Sequence, residues 1–131
     1  MTAIDTNVLV RFLVNDDPEQ AAAARDVLAR ATPAQPVFVC REVVAETVWV
    51  LERAYRLSRS RIADILMDLV AAEEVAVETA DDVAQAVGAY RRGSAGFADL
   101  MILAASQRVG AQPLLTLDRQ LAALPGAALV A

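Results

Sequence analysis

The chain reads as an α/β protein, a three-layer α/β/α sandwich around a central parallel sheet of four to five strands. Two observations predict this. Short apolar runs at residues 2–5, 37–40, 75–77, 114–117 and 127–130 alternate with longer stretches whose apolar residues fall at helical spacing. Such alternation requires right-handed crossovers and a parallel sheet covered on both faces. The hydrophobic fraction is 56% over 131 residues, and a chain of this length buries roughly two-thirds of its unfolded surface in one core. No repeat, low-complexity tract or linker interrupts it, so residues 1–131 are expected to form a single domain.

The elements follow in order. Residues 2–5 form a short buried strand ending in Asp5, and residues 7–14 have the apolar density of a buried helix. Asp17 is placed to cap the next helix, with Pro18 at its first position, where a missing N–H costs nothing. That helix, over residues 18–31, turns Ala21, Ala24, Val27 and Leu28 inward. Pro33 and Pro36 mark a turn before the strand at 37–40. The spacing of Val43, Val44, Thr47, Val48, Leu51 and Tyr55 predicts a helix over 41–56 with a broad buried face. A second amphipathic helix covers 58–72, with Ile62, Ile65, Leu66 and Leu69 inward, and the strand at 75–77 follows. Thr79 and Asp82 have the spacing of a capping box for a helix running to about residue 91. Gly93-Ser94-Ala95-Gly96 is a loop, and residues 99–109 are helical until Gly110 and Pro113 stop them. The strand at 114–117 ends at Asp118, then come a short helix and a last strand at 127–130.

Composition excludes much chemistry. There is no His, and Cys40 is alone, so internal disulfides, Cys/His zinc sites, His acid–base catalysis and Ser–His or Cys–His nucleophiles are all excluded. What remains is mainly carboxylate. No apolar run approaches the ~18–20 residues of a membrane span, and the start Met1-Thr2-Ala3-Ile4-Asp5 lacks the pattern of a signal peptide, so a cytoplasmic location without membrane attachment is expected. A net charge of −5 argues, alone, against a polyanionic partner. Carboxylates clustered around divalent cations weaken that objection, because formal charge then overstates what a phosphate meets.

In open parallel sheets, ligands bind outside the carboxyl ends of the strands. Asp5 and Asp118 stand at two such ends. Asp5 is an acid at the end of a buried strand, costly unless paired or metal-bound, or else the N-cap of the helix behind it. Glu46 is the one acid within Val43-Val44-Ala45-Glu46-Thr47-Val48-Trp49-Val50-Leu51, and so is expected to be at least partly enclosed, on a metal or beside a buried Arg. Glu42, one turn earlier and on the same face, either supports the site from behind its ligands or simply belongs to the helix start, where the dipole favours an acid. Asp99, in Gly96-Phe97-Ala98-Asp99, and Asp118 each have helix capping as the alternative. Taken together, Asp5, Glu46, Asp99 and Asp118 form an all-oxygen donor set, which selects Mg²⁺ or Mn²⁺ over zinc. Two such ions about 4 Å apart suit phosphodiester hydrolysis by activated water.

Four segments carry a resemblance. M-T-A-I-D-T-N-V-L-V-R-F-L, A-E-T-V-W-V-L, F-A-D-L-M-I-L-A-A and L-L-T-L-D-R are similar, in order and across nearly the whole chain, to the acidic motifs of PIN-domain proteins, specifically the VapC toxins of toxin–antitoxin pairs. The resemblance implies a Mg²⁺- or Mn²⁺-dependent RNA endonuclease that inhibits growth, forms a homodimer and is neutralised by a VapB-type antitoxin. It makes Asp5, Glu46, Asp99 and Asp118 the catalytic metal ligands, supported by hydrogen bonds from Thr6, Asn7 and Thr116. Many relatives carry an acid where this chain has Gly96. That departure leaves a single-metal mechanism, a second ion recruited with RNA, and weakened catalysis as alternatives.

Arg11, Arg91, Arg92 and Arg119 flank the motifs and are the candidates for phosphate contact, against ordinary surface charge. Arg53, Arg56, Arg59 and Arg61 form a denser run that either tracks RNA or faces solvent. Trp49 and Phe12 are expected in the core or an interface, and not as base-stacking platforms. The competing function is a weakened PIN domain that binds RNA or a protein without efficient cleavage. A phosphatase or receiver-like domain is disfavoured, because Thr6-Asn7 follows Asp5 where a D-x-D motif belongs and the chain has no Lys.

Overall fold

Val37–Val39, alternately buried and half-buried, is β2, the middle strand of a parallel three-stranded sheet. The computed structural model describes residues 1–130, and these fall into two units, Met1–Ala80 and the residues from Asp81 onward. In the first unit β1 (Thr2–Ala3) and β3 (Val75–Val77) flank β2, with Thr2 opposite Val37 and Val37 opposite Val75. Helices α1 (Thr6–Leu13), α2 (Pro18–Ala29), α3 (Arg41–Arg53) and α4 (Arg59–Ala71) fill the crossovers. Each parallel crossover needs such a helix. The core of this unit is aliphatic, built on Leu9, Val39, Val44, Val48, Leu51, Ile62 and Leu66.

Because the three strands run parallel, their carboxyl ends share one edge of the sheet. β1 delivers Asp5 there, and β2 delivers the start of α3 on the neighbouring strand. The first amides of α3 have no side-chain cap from Cys40. Glu78, just past β3, supplies the missing acceptor by taking the Arg41 amide at 2.9 Å, and Thr79 Oγ1 accepts from the Arg41 guanidinium at 2.9 Å. The orphan donor of a helix start is thereby satisfied from the adjacent strand. α1 packs against both α2 and α3, which sets the first residue of α1 beside the second turn of α3.

The second unit holds most of α5 (Ala80–Arg92), α6 (Phe97–Arg108), β4 (Leu114–Thr116), α7 (Arg119–Ala122) and β5 (Ala127–Leu129). β4 and β5 pair in parallel, Leu114 opposite Ala127. Tyr90 is fully buried and meets Phe97 edge to face at 5.7 Å. α6 ends where the sequence places its stop. Gly110 takes φ +74°, its amide donates to Gln107 O at 3.1 Å, and the Ala111 amide donates to Ser106 O at 2.8 Å, the hydrogen-bond pair of a Schellman cap. No helix among the described residues is long and apolar enough to cross a membrane.

The α/β class, the parallel pairing and all five strands agree with the sequence reading. Their hydrogen bonding forms a three-stranded and a two-stranded sheet. β3 spans the residues expected and the other four are one or two residues shorter; β1 and β2 end where Asp5 and Cys40 become helix N-caps. One cap is corrected. Thr79 sits at φ +48° with its hydroxyl donating to Glu78 O at 2.7 Å. Asp82, only 4% exposed, receives Arg108 Nε at 3.1 and 3.3 Å. A buried carboxylate needs such a partner more than a helix start needs a second cap.

Candidate functional site

Asp5 and Glu46 line one open cleft of about 270 Å³, together with Thr6, Asn7, Trp49 and Val50. Asp5 is the N-cap of α1, its Oδ1 accepting from the Val8 amide at 3.1 Å. The residue is exposed, not enclosed on a buried strand. The desolvation expected from the sequence is therefore missing, because the chain leaves β1 at Ala3 and the acid projects from the helix start. Thr6, only 7% exposed, donates its hydroxyl to Glu46 Oε1. Glu46 is exposed too, where enclosure was expected. The buried face of α3 runs through Val44, Thr47, Val48 and Leu51, and Glu46 stands off that stripe.

Neither acid receives an ion pair from an arginine of its unit among the described residues, unlike Asp16 with Arg11 and Asp82 with Arg108. Asn7 lines the same cleft and is exposed, and Glu42 is exposed in the first turn of α3, consistent with its helix-start reading. Two carboxylates and a hydroxyl make a hard-oxygen donor group that fits Mg²⁺ or Mn²⁺ in type.

In the second unit, Asp99 is half-buried in the first turn of α6. The N-cap there is Gly96, which has no side chain to cap with, so the capping reading of Asp99 is not what is observed. A Cβ built on Gly96 stands 3.5 Å from Asp99 Oδ2, an ordinary contact distance. Asp118 caps α7, accepting from the amides of Gln120 at 2.8 Å and Leu121 at 3.2 Å. Thr116 Oγ1 accepts from the Asp118 amide at 3.0 Å and so orients that turn. Within neither unit do three or more carboxylate or thiol side chains gather to hold an ion, among the described residues. Each unit carries two of the four acids named from the sequence.

Of the arginines, Arg11 lines a larger groove beside the cleft, bounded by Asp5, Asn7, Gln20 and Val27. Its guanidinium is engaged, by Gln20 at 2.6 Å, Asp16 at 3.0 Å and Tyr55 at 3.1 Å. The Tyr55 hydroxyl in turn donates to Asp16 Oδ2 at 2.7 Å, which lowers the Asp16 pKa and raises that of Tyr55. Arg91 and Arg92 are exposed at the end of α5, and exposed Arg119 lines a hollow of the second unit with Gly93, Ser94 and Ala95.

Sequence reasoning left Trp49 to the core or an interface, and it is not in the core. It is 56% exposed on the lip of the acid cleft, with Arg53 Cζ 5.5 Å from its ring centroid. Phe12 is 37% exposed and also outside the core. The signal for Trp49 was available, since residues three apart share a helix face and Trp49 follows Glu46 at that spacing.

A parallel α/β fold with a carboxylate-lined cleft beside the carboxyl edge of its sheet is the class of protein these elements define. The chain belongs to the PIN domain family, whose family model matches residues 2–127. The PIN fold is a three-layer α/β/α sandwich, the architecture expected from the sequence. Within nearly its whole length the chain is similar to a VapC ribonuclease of Aquifex aeolicus, 23% identical over 120 residues that span 92% of this chain and 89% of the relative.

Proposed function

We propose that the protein is a metal-dependent RNA endonuclease, the toxin of a VapBC-type pair, with its 131 residues working as one PIN domain. The observation that carries this reading is the cleft shared by Asp5 and Glu46, with the Thr6 hydroxyl on Glu46, in a chain of the PIN family similar to a VapC ribonuclease. Asp5, Glu46, Asp99 and Asp118 are the residues that would hold Mg²⁺ or Mn²⁺. When bound, the ion activates water and neutralises charge on the phosphodiester.

The chain's own groups do the rest. Thr6 holds the Glu46 carboxylate in one orientation, and the Val8 amide does the same for Asp5. Thr116 fixes the turn that presents Asp118. Such supporting hydrogen bonds set ligand geometry and carry a large share of a metal site's affinity. Arg91, Arg92 and Arg119 are the arginines proposed to meet RNA phosphates. Arg11 is proposed to act by bracing α1 through Asp16 and Gln20. The expected setting is the cytoplasm, and the expected partners are a VapB-type antitoxin and a second copy of the chain.

The test is sequencing of RNA ends after induced expression of wild type and Asp5→Asn. The reading requires new 5′ ends at defined sites with wild type alone. Growth arrest without new ends, equal in both proteins, would contradict it. Gly96 supports a second reading, a PIN domain that binds RNA with weakened cleavage. RNA protection without product, unchanged by Asp99→Asn, is the result that would favour it.

A further inference from the structure

An indole more than half exposed is unusual on a small domain, since an aromatic side chain of this size normally buries most of its surface. Trp49 is exposed where three features coincide. It lines the cleft that contains Asp5 and Glu46. It follows Glu46 by three residues on α3, about 4.5 Å along the helix axis. Arg53, one turn further, lies against its ring at 5.5 Å, so one face of α3 presents acid, aromatic and cation in succession.

We propose that Trp49 is a stacking platform for a nucleobase next to the cleaved phosphodiester, with Arg53 steadying the ring and offering charge to the neighbouring phosphate. This rests on the nuclease reading and adds the substrate's form to it. A base free to stack on a side chain belongs to a single strand or loop, because bases within a duplex are already stacked. The chemistry of the lip favours RNA over a protein partner. A π-face flanked by a guanidinium suits a base and its phosphate, whereas Asp5 and Glu46, which line the same cleft, are of residue types depleted at protein interfaces.

Trp49 is the only tryptophan of the chain, so its emission reports on this position alone. Short single-stranded oligoadenylate and oligouridylate are titrated in Ca²⁺, and cleavage of a single-stranded RNA is measured separately in Mg²⁺ and Mn²⁺. We expect saturable quenching of the emission. Trp49→Ala should raise KM about 5- to 100-fold, and Trp49→Phe should restore most of the loss. Thermal melts of both variants should match wild type, because the side chain is largely in solvent. If wild type cuts RNA but its emission is unmoved, or if Trp49→Ala leaves KM unchanged, stacking is overturned and the nuclease reading survives. Quenching without any cleavage by wild type would sustain the platform and overturn the nuclease. A dimer lost in Trp49→Ala with RNA kinetics intact would overturn the platform in favour of a protein contact.

Discussion

The Thr6 hydroxyl donates to Glu46 Oε1, joining the first residue of α1 to the second turn of α3 across 40 positions of sequence. Thr6 is itself buried, so the donor is held by packing. A carboxylate fixed in this way loses rotamer freedom before any ligand arrives, and preorganisation of that kind raises affinity by removing an ordering cost.

Thr6→Val keeps the shape and deletes the donor. RNA cleavage and Mn²⁺ affinity should both fall about 10- to 100-fold, while Thr6→Ser stays within a few-fold of wild type. Calorimetric titration with Mn²⁺ and steady-state cleavage are the measurements. Equal losses in Val and Ser variants would mean that packing, not the hydrogen bond, was disturbed.

Thr47 Oγ1 is buried and has no hydrogen-bond partner among the described residues. An unpaired hydroxyl in a dry core costs about 1–3 kcal/mol. Thr47→Val should therefore stabilise the protein by roughly 1 kcal/mol, seen as a higher denaturant midpoint with an unchanged slope. A lower midpoint would show that the hydroxyl has a partner in solution.

Gly96 is the N-cap of α6 at φ −68°, and a Cβ there meets Asp99 Oδ2 at 3.5 Å without a clash. Gly96→Asp should be tolerated and, by capping the helix, stabilise it by a few tenths of a kcal/mol. It also puts a second carboxylate next to Asp99, so Mn²⁺ affinity and cleavage rate should both rise. Unchanged metal affinity in a well-folded variant would separate position 96 from metal binding.

The Tyr55 hydroxyl on Asp16 gives a pH signature. Its hydrogen bond, with help from Arg11, holds Asp16 below its ordinary 3.8. The same bond, with burial, holds Tyr55 above 10.0. A depressed acid stabilises the fold above its ordinary pKa, and that contribution disappears as pH falls through the lowered value. A raised phenol stabilises below its ordinary pKa, and that contribution disappears as pH climbs through the raised value. The stability gap between wild type and Tyr55→Phe should be flat from about pH 5 to about pH 9 and shrink on either side. A gap that widens in acid would contradict the assignment.

Apolar spacing made the elements legible, since period and turn residues are local properties. Asp17 with Pro18, and Gly110 after α6, are caps whose chemistry lies within a few residues. What stayed hidden was pairing at long range. Asp82 looked like the far half of a capping box because Arg108, 26 residues on, leaves no local trace. Arg11 looked available because Tyr55 is 44 residues away. The four acids stood out by their places beside apolar elements and within the ordered motifs, yet the exposure of Asp5 and Glu46 was misjudged. Neighbouring apolar residues implied enclosure, while Asp5 sits at a helix start and Glu46 off the buried stripe of α3. Trp49 was assigned to the core or an interface, and the helix face it shares with Glu46 pointed away from the core.

Metal titration of the four acid variants tests the central claim most directly. Mn²⁺ binding is measured by calorimetry on wild type, Asp5→Asn, Glu46→Gln, Asp99→Asn and Asp118→Asn, each checked for folding by circular dichroism. One shared centre predicts that every substitution weakens the same binding event and reduces RNA cleavage with it. Wild-type Mn²⁺ affinity in the Asp99 and Asp118 variants, with loss confined to Asp5 and Glu46, would contradict a centre built from all four.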